Sequence, residues 1–168
     1  MAGRSCDDPP VAGIAYEDLE PGMTIELGRV RIDRTEMIEF ARRYDPQPIH
    51  LDERAARESL LGGLCASGWY TGSLWMRAYA DTVLLGSTAQ GSPGLTELSW
   101  LTPVWPDDEL DLRLEVLGRR LSASRPGLGL VSMRGTAYRG ERCVLRMAFT
   151  GLFDARGSAG QGAHDARR

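Results

Sequence analysis

One segment of the chain combines an acid and an imidazole on a backbone stiffened by proline. Asp45 precedes His50 by five positions, and Pro46 and Pro48 lie between them. A histidine exchanges protons near neutral pH because its free pKa is about 6.5, and a nearby carboxylate can orient it or share a water molecule with it. Because proline disfavours helical geometry in the residue before it, we expect a rigid, non-helical loop. The pattern indicates acid–base chemistry if that loop brings the two side chains together.

A purely structural interpretation of this segment is also open. An aspartate before prolines often ends a helix or begins a turn, and a single histidine is often exposed to water. His164 lies in the low-complexity end of the chain, so any imidazole chemistry of the folded part must use His50. Ser67 and Ser73 have no second histidine to activate them, and a serine nucleophile is therefore not expected.

Gly68 opens the most apolar helical pattern in the chain. The first N–H groups of a helix have no partner within it and point outward at the positive end of its dipole. A glycine at that position lets a ligand oxygen approach the backbone, which would stabilise a carbonyl that gains negative charge during a reaction. Alternatively, Gly68 only lets the helix pass close to a sheet. The sequence does not choose between these two interpretations.

Hydrophobic periodicity predicts the elements that must position these residues. Asp33 begins a capping box before a helix that runs to about Tyr44, and Asp52 can cap a short helix through Leu61. A long helix is predicted from Gly68 to about residue 85, and its apolar residues surround most of its circumference, as in a buried helix. Period-two patterns predict strands over residues 23–32, 95–104, 109–116, 128–138 and 143–153. Together they indicate an α+β fold, an antiparallel sheet of about five strands wrapped around one long helix.

Composition and charge restrict the class of protein. The chain has 168 residues, a net charge of −3 and 42% apolar residues, which suits one soluble domain and gives no electrostatic case for nucleic acid or an anionic membrane. No apolar run has the length of a membrane span, and the first residues predict no secretory signal. Three widely spaced cysteines fit a reducing cytoplasm rather than a disulfide framework or a zinc site. We expect a cytoplasmic protein with a flexible segment at 1–14, one domain over 15–154 and a disordered tail at 155–168.

The order of these residues resembles a known motif. Asp45-x-x-Pro48-x-His50-x-Asp52, followed by Gly68 eighteen positions after His50, resembles the hydratase motif of the MaoC-like (R)-specific enoyl-CoA hydratases. Residues 98–104 and 134–136 add to the likeness, which covers roughly residues 16–153. The resemblance implies the hot-dog fold, in which an antiparallel sheet wraps around a long central helix. The sequence departs from the family at Gln47, where many members have Asn, and before the glycine, where several have His.

The resemblance also implies a reaction and a site. Water adds reversibly to a trans-2-enoyl-CoA to give the (R)-3-hydroxyacyl-CoA. Asp45 and His50 hold and activate the water and deliver a proton to the α carbon, while the Gly68 N–H binds the thioester oxygen. No metal or redox cofactor is implied, since coenzyme A or an acyl carrier belongs to the substrate. Family members form homodimers, or larger homo-oligomers of dimers, with pockets at the interface. The residues expected to line the acyl pocket are Gln47, Ser67, Tyr70, Trp75 and Trp100.

Two alternatives belong to other functional classes. A hot-dog acyl-CoA thioesterase would hydrolyse the thioester and would usually carry its carboxylate on or near the central helix. The predicted helix offers only Asp81, far from its start. A non-catalytic acyl-binding or assembly subunit is the other alternative, and the presence of both Asp45 and His50 argues against it.

Overall fold

The structure is a computed structural model that describes residues 13–157. A 3₁₀ turn at Tyr16–Asp18 leads into the regular elements. The helices are α1 (Arg34–Tyr44), α2 (Pro48–Leu51), α3 (Glu53–Glu58) and α4 (Gly68–Tyr79), and α4 continues as a π-helical segment, Ala80–Leu84. The strands are β1 (Thr24–Arg31), β2 (Ala89–Gly91), β3 (Leu95–Trp100), β4 (Glu109–Leu121), β5 (Leu128–Arg139) and β6 (Arg142–Asp154).

The strands form one antiparallel sheet with the order β1-β4-β5-β6, and β2 and β3 both pair with β6. β3 pairs along Leu145–Phe149, whereas β2 pairs at Leu152 and Phe153, so the two short strands follow one another along the same edge of β6. Six strands therefore occupy five positions across the sheet. This confirms the predicted antiparallel sheet, and β2 is the strand that the periodicity did not show.

The core lies between α4 and the sheet. The inward residues predicted on β4, from Leu110 to Val116, are fully buried, as expected for alternating side chains on a half-covered sheet. From α4, the ring of Trp75 stacks on Tyr79 with centroids 5.2 Å apart, and both rings meet Phe149 of β6. The prediction of one long helix embraced by an antiparallel sheet is confirmed.

The burial of α4 is less complete than the sequence predicts. Tyr70, Trp75 and Tyr79 are buried, but Trp69 is 57% exposed and Met76 is 48% exposed. These two residues are seven positions apart, so they lie on the same face of the helix. One apolar face of the central helix is therefore uncovered in the single chain.

The segment between Asp45 and His50 is also more regular than predicted. Pro48 begins α2, a single helical turn with proline in its first position. Proline is well suited to that position because the N–H it lacks would have no partner there. The expectation of a wholly non-helical loop was therefore wrong for its second half.

Helix caps agree with the sequence, whereas several element ends do not, and β4 runs to Leu121 instead of residue 116. The Asp33 carboxylate accepts the Glu36 N–H at 2.9 Å, and the Asp52 carboxylate accepts the Ala55 N–H at 2.7 Å. However, α3 ends at Glu58 instead of Leu61, and β3 ends at Trp100 instead of residue 104. Proline at 103 has no N–H for a strand ladder, and the chain turns there toward the segment before α4.

The two ends of the chain were predicted to be flexible, and most of both segments lies outside the described residues. Of the predicted tail, residues 155–157 are described, and the Arg156 N–H donates to the Glu17 carboxylate at 3.1 Å. Residues 1–12 and 158–168, including His164, are not among those described. Within residues 13–157, none of the helices has the length and apolar character needed to cross a membrane.

Candidate active site

Asp45 and His50 meet in the structure. Asp45 ends α1 with its N–H donating to the Ala41 carbonyl, and α2 carries His50. The Oδ2 atom of Asp45 lies 3.4 Å from Nε2 of His50, and their side chains are only 17% and 8% exposed. Two consecutive short elements with a proline-stiffened link thus turn an acid and an imidazole toward one another in a largely water-excluded place.

The carboxylate of Asp45 is held by two further donors. Ser67 Oγ donates to Oδ2 at 2.7 Å, and Gln47 Nε2 donates to Oδ1 at 2.7 Å. Burial alone would raise the pKa of Asp45, but the hydrogen bonds from Gln47 and Ser67 and the charge of His50 outweigh it, and the pKa lies below its ordinary value. Asp45 is therefore an ionised carboxylate at neutral pH.

The orientation of the His50 ring follows from its other nitrogen. Nδ1 lies 2.9 Å from the carbonyl oxygen of Cys65. A carbonyl can only accept, so Nδ1 must carry a proton and donate it. Nε2, which faces Asp45, is then the nitrogen that gains and loses a proton. The Cys65 thiol lies 3.7 Å from Nδ1, and burial raises the pKa of this thiol, so Cys65 contributes its carbonyl rather than a nucleophile.

Ser67 joins this pair to the start of α4. It is fully buried and is the N-cap residue of the helix. Its Oγ accepts the Trp69 N–H at 3.2 Å while donating to Asp45. Gly68 is the first helical residue, and no described residue accepts its N–H. The carboxylate and a free N–H at the positive end of a helix are thus linked through one hydroxyl.

A pocket of about 320 Å³ adjoins His50 and Gly68. Most of its walls are apolar, which suits a hydrocarbon chain better than a polar ligand. Thr102 Oγ1 stands out in this wall because it is the one buried side-chain oxygen or nitrogen of the described residues without a hydrogen-bond partner. The remaining lining residues are Leu61, Cys65, Ala66, Thr71, Trp100, Leu101, Pro103, Val104 and Val144.

The residues predicted to line the pocket have different positions. Trp100 is in its wall, whereas Gln47 and Ser67 contact Asp45 behind it. Tyr70 and Trp75 are not among the lining residues of this pocket. The Tyr70 hydroxyl donates to Glu36 at 3.1 Å, and the Trp75 indole donates to a backbone carbonyl within the core. Their position on α4 places both rings in the core instead of in the pocket wall.

Sequence reasoning missed two contributions to this site. The donor role of Ser67 could have been found, because a serine directly before a helix-opening residue is a typical N-cap. The Cys65 carbonyl carries no such signal, since every residue has a carbonyl. Within residues 13–157, no cluster of three or more His, Cys, Asp or Glu side chains could hold a metal ion.

Comparisons with known proteins identify the family of this chain. The family model described as "MaoC like domain" matches residues 18–132. The crystal structure of a MaoC-like dehydratase from Rhodospirillum rubrum is 36% identical, with a TM-score of 0.77, and the match covers 86% of this chain and 99% of that one. The R-hydratase PhaJ1 from Pseudomonas aeruginosa is 24% identical, with a TM-score of 0.65 and coverage of 84% and 86%.

A third similar structure is described as having a hot-dog fold. Rv0216 from Mycobacterium tuberculosis has a double hot-dog fold, and it matches with 20% identity, a TM-score of 0.65 and coverage of 88% of this chain and 46% of that one. The predicted hot-dog fold is therefore confirmed, since the match covers most of this chain and about half of the double fold. By the extent of the family match and by its likeness to the R. rubrum protein, this chain belongs to the MaoC-like domain family.

Proposed function

We propose that this protein is an acyl-thioester hydratase/dehydratase, which reversibly adds water to a trans-2-enoyl-CoA and forms the (R)-3-hydroxyacyl-CoA. The observation that carries the proposal is the approach of Asp45 Oδ2 to His50 Nε2, 3.4 Å apart, beside an apolar pocket and the free N–H of Gly68. Membership of the MaoC-like family supports it, as does the likeness in fold to an R-hydratase.

The pair can add the elements of water across a double bond. An ionised carboxylate has about four sites for hydrogen bonds, so Asp45 can accept a proton of a water molecule in addition to its bonds from Gln47 and Ser67. As the water oxygen bonds to C3, Asp45 takes that proton and the thioester becomes an enolate, and Nε2 of the protonated His50 ring then donates its proton to C2. The proton then passes from Asp45 to Nε2 across the short gap, which restores the pair. Dehydration follows the same steps in reverse.

The start of α4 would stabilise the charge that develops during this reaction. Addition at C3 places negative charge on the thioester oxygen, which becomes an enolate oxygen before C2 is protonated. The N–H of Gly68 and the positive end of the α4 dipole are fixed before the substrate binds. Such a fixed donor typically contributes about 10²–10³ in rate.

The thioesterase alternative has less support. The carboxylate on the helical continuation of α4, Asp81, is exposed and pairs with Arg77 at 2.6 Å. It lies at the opposite end of the helix from Gly68. We therefore expect the enzyme to act at the double bond and to leave the thioester intact.

The proposal is tested by following the loss of enoyl absorbance when crotonyl-CoA is added to the purified protein, with chiral analysis of the product. We expect the (R)-3-hydroxy product from the wild type. Asp45→Asn and His50→Ala should lower kcat/KM by about 10²–10⁴, the contribution of a positioned acid or base. Asp33→Asn is the matched control, because it makes the same acid-to-amide change at the N-cap of α1, outside the motif that contains Asp45, His50 and Asp52, and Asn caps a helix as well as Asp does.

Three results would contradict the proposal or a part of it. A wild type that hydrates no short, medium or branched enoyl-CoA would exclude the hydratase activity and favour a binding subunit. Hydratase activity that survives both substitutions would show that Asp45 and His50 do not perform the chemistry. Release of free thiol from an acyl-CoA would point to the thioesterase instead.

A further inference from the structure

Trp100 lies directly over the residue that begins α4. A Cβ atom added to Gly68 would overlap the indole at Cε2 and would lie 2.5 Å from Nε1. The Cα–Cβ bond of a helical residue is tilted toward the N-terminus of the helix, and the first N–H groups point out of the same end. The nitrogen side of the indole therefore occupies the space beside the outward-pointing N–H of Gly68. Both residues line the pocket that contains His50.

Neither of these two N–H groups has an acceptor among residues 13–157. The contrast with Trp75 is informative, because that indole is buried in the core and donates to the Arg113 carbonyl at 3.2 Å. An indole N–H can only donate. The Gly68 and Trp100 N–H groups are therefore neighbouring donors without a protein acceptor, and both residues line one pocket. A ligand oxygen placed between them could accept both hydrogen bonds.

The indole of Trp100 is also held in position. Its ring meets Trp69 edge to face, with centroids 5.2 Å apart and planes at 73°. The chain that carries it is anchored on both sides, since Trp100 pairs with Leu145 in the sheet and the Leu101 N–H donates to the Val144 carbonyl at 2.9 Å. A donor fixed in this way needs little rearrangement when a substrate arrives, which is the condition for effective stabilisation of charge.

We propose that the Trp100 indole N–H is a second hydrogen-bond donor, beside the Gly68 N–H, to the carbonyl oxygen of the acyl thioester. This inference rests on the proposed function and extends it by a residue that contacts the reacting group. The indole transfers no proton. It would hold the thioester oxygen in the ground state and would bind it more strongly as the oxygen becomes an enolate.

Two substitutions remove the donor. Trp100→Phe keeps an aromatic ring but is smaller, so a second variant carries 3-benzothienylalanine at position 100, in which sulfur replaces the N–H within nearly the same shape. We expect kcat/KM for crotonyl-CoA to fall about 10–100-fold in both variants, mainly through kcat, because the lost interaction is strongest in the transition state. Trp105→Phe is the control, since it makes the same change at an indole that packs against Gly63 and is not among the residues that line the pocket.

A binding measurement separates this inference from the proposed function. Butyryl-CoA labelled with ¹³C at the carbonyl has no double bond to hydrate, and hydrogen bonding lowers the frequency of its carbonyl stretch in an infrared difference spectrum. We expect a downshift with the wild type and with Trp105→Phe, and a smaller one with both position-100 variants. If the wild type hydrates nothing but shows this pattern, the proposed function fails and the donor role of Trp100 stands.

Three results would overturn the inference. The first is a wild type that causes no downshift of the bound carbonyl. The second is a benzothienylalanine variant with the kcat and the downshift of the wild type. The third is a variant in which only KM rises, because Trp100 would then be an apolar wall that binds substrate and transition state equally.

Discussion

Ser67 has two roles that depend on one hydroxyl group. Its hydroxyl donates to the Asp45 carboxylate, and the same oxygen accepts the N–H of Trp69 in the first turn of α4. Because Ser67 is fully buried, water cannot replace either bond without rearrangement. The ionisation of the carboxylate and the start of the central helix are therefore coupled.

Replacement of Ser67 by alanine should raise the pKa of Asp45. Burial of the carboxylate raises its pKa, and the Ser67 hydrogen bond is one of the interactions that overcome this effect. Without that bond, the acid limb of the pH profile of kcat/KM for crotonyl-CoA hydration should move to higher pH. The loss of the N-cap should also lower the free energy of unfolding at pH 7 by about 1 kcal/mol, measured by urea denaturation.

The pH dependence of stability provides a second readout for the same variant. Because the folded pKa of Asp45 is depressed, its contribution to stability is present above the unfolded value of about 3.9 and is lost as the pH falls through the folded pKa. The difference in the free energy of unfolding between wild type and Ser67→Ala should thus become smaller as the pH falls, until only the contribution of the helix cap remains.

Ser73→Ala is the control for Ser67→Ala, since Ser73 donates to the Tyr70 carbonyl on the same helix. An equal shift of the acid limb in both variants would contradict this role of Ser67.

How far the site could be predicted depends on the kind of group involved. The five-residue interval with two prolines identified Asp45 and His50 as a candidate pair, because the sequence directly shows the side-chain types and the prolines that stiffen the backbone. The distance between them depends on α2, and α2 was not foreseen. Cys65 could not be identified as the acceptor for His50, because it acts through its main chain and is fifteen residues away.

At the level of elements, the structure supports the steric interpretation of Gly68, in which glycine allows close packing, and this is compatible with a role in binding a ligand oxygen. Glycine is required there by close packing, but the neighbour is the Trp100 side chain instead of the backbone of the sheet. Gly68 also lines the pocket, and its N–H has no acceptor among residues 13–157. A steric reason and a chemical reason for this glycine are compatible.

The steric reason predicts a specific coupling between the two residues. Gly68→Ala should cost about 1–3 kcal/mol in the wild type, because the new Cβ must displace the indole. In a Trp100→Ala background the same change should be neutral or stabilising by up to about 1 kcal/mol, since alanine favours helix more than glycine does. A double-mutant cycle by chemical denaturation measures the difference. An equal cost in both backgrounds would show that the overlap with Trp100 does not limit this position.

Elements with strong periodicity or caps were predictable, and short ones were not. The alternating apolar residues correctly predicted where β4 begins, and the cap at Asp33 correctly predicted where α1 begins. β2 contains only three residues, Ala89–Gly91, which is too short for any period to show. α2 was missed because proline was treated only as a residue that ends helices, although it is also well suited to begin one.

At the level of the whole molecule, an apolar surface remains uncovered. Trp69 and Met76 are exposed on one face of α4, and Trp100 and Leu101 are also more than 40% exposed. The edge-to-face contact of Trp69 with Trp100 makes the helix face and the end of β3 continuous. β3 also lies at an edge of the described sheet. Contiguous apolar surface beside a free strand edge is typical of an interface, and we propose that a second copy of the chain covers it in a homodimer.

If a homodimer forms through this surface, two apolar positions of similar exposure should respond differently to a charge. Met76→Glu should convert the dimer to a monomer, because a charge placed in an apolar interface must lose its water, while glutamate remains a good helix former. Leu121→Glu is the control, since Leu121 is 56% exposed on β4 and Met76 is 48% exposed on α4. Size-exclusion chromatography with light scattering should give twice the chain mass for the wild type and for Leu121→Glu, and the mass of one chain for Met76→Glu. A monomeric wild type would exclude the homodimer. A Met76→Glu variant that stays dimeric at micromolar concentration would show that the subunits meet at another surface and not at the exposed face of α4.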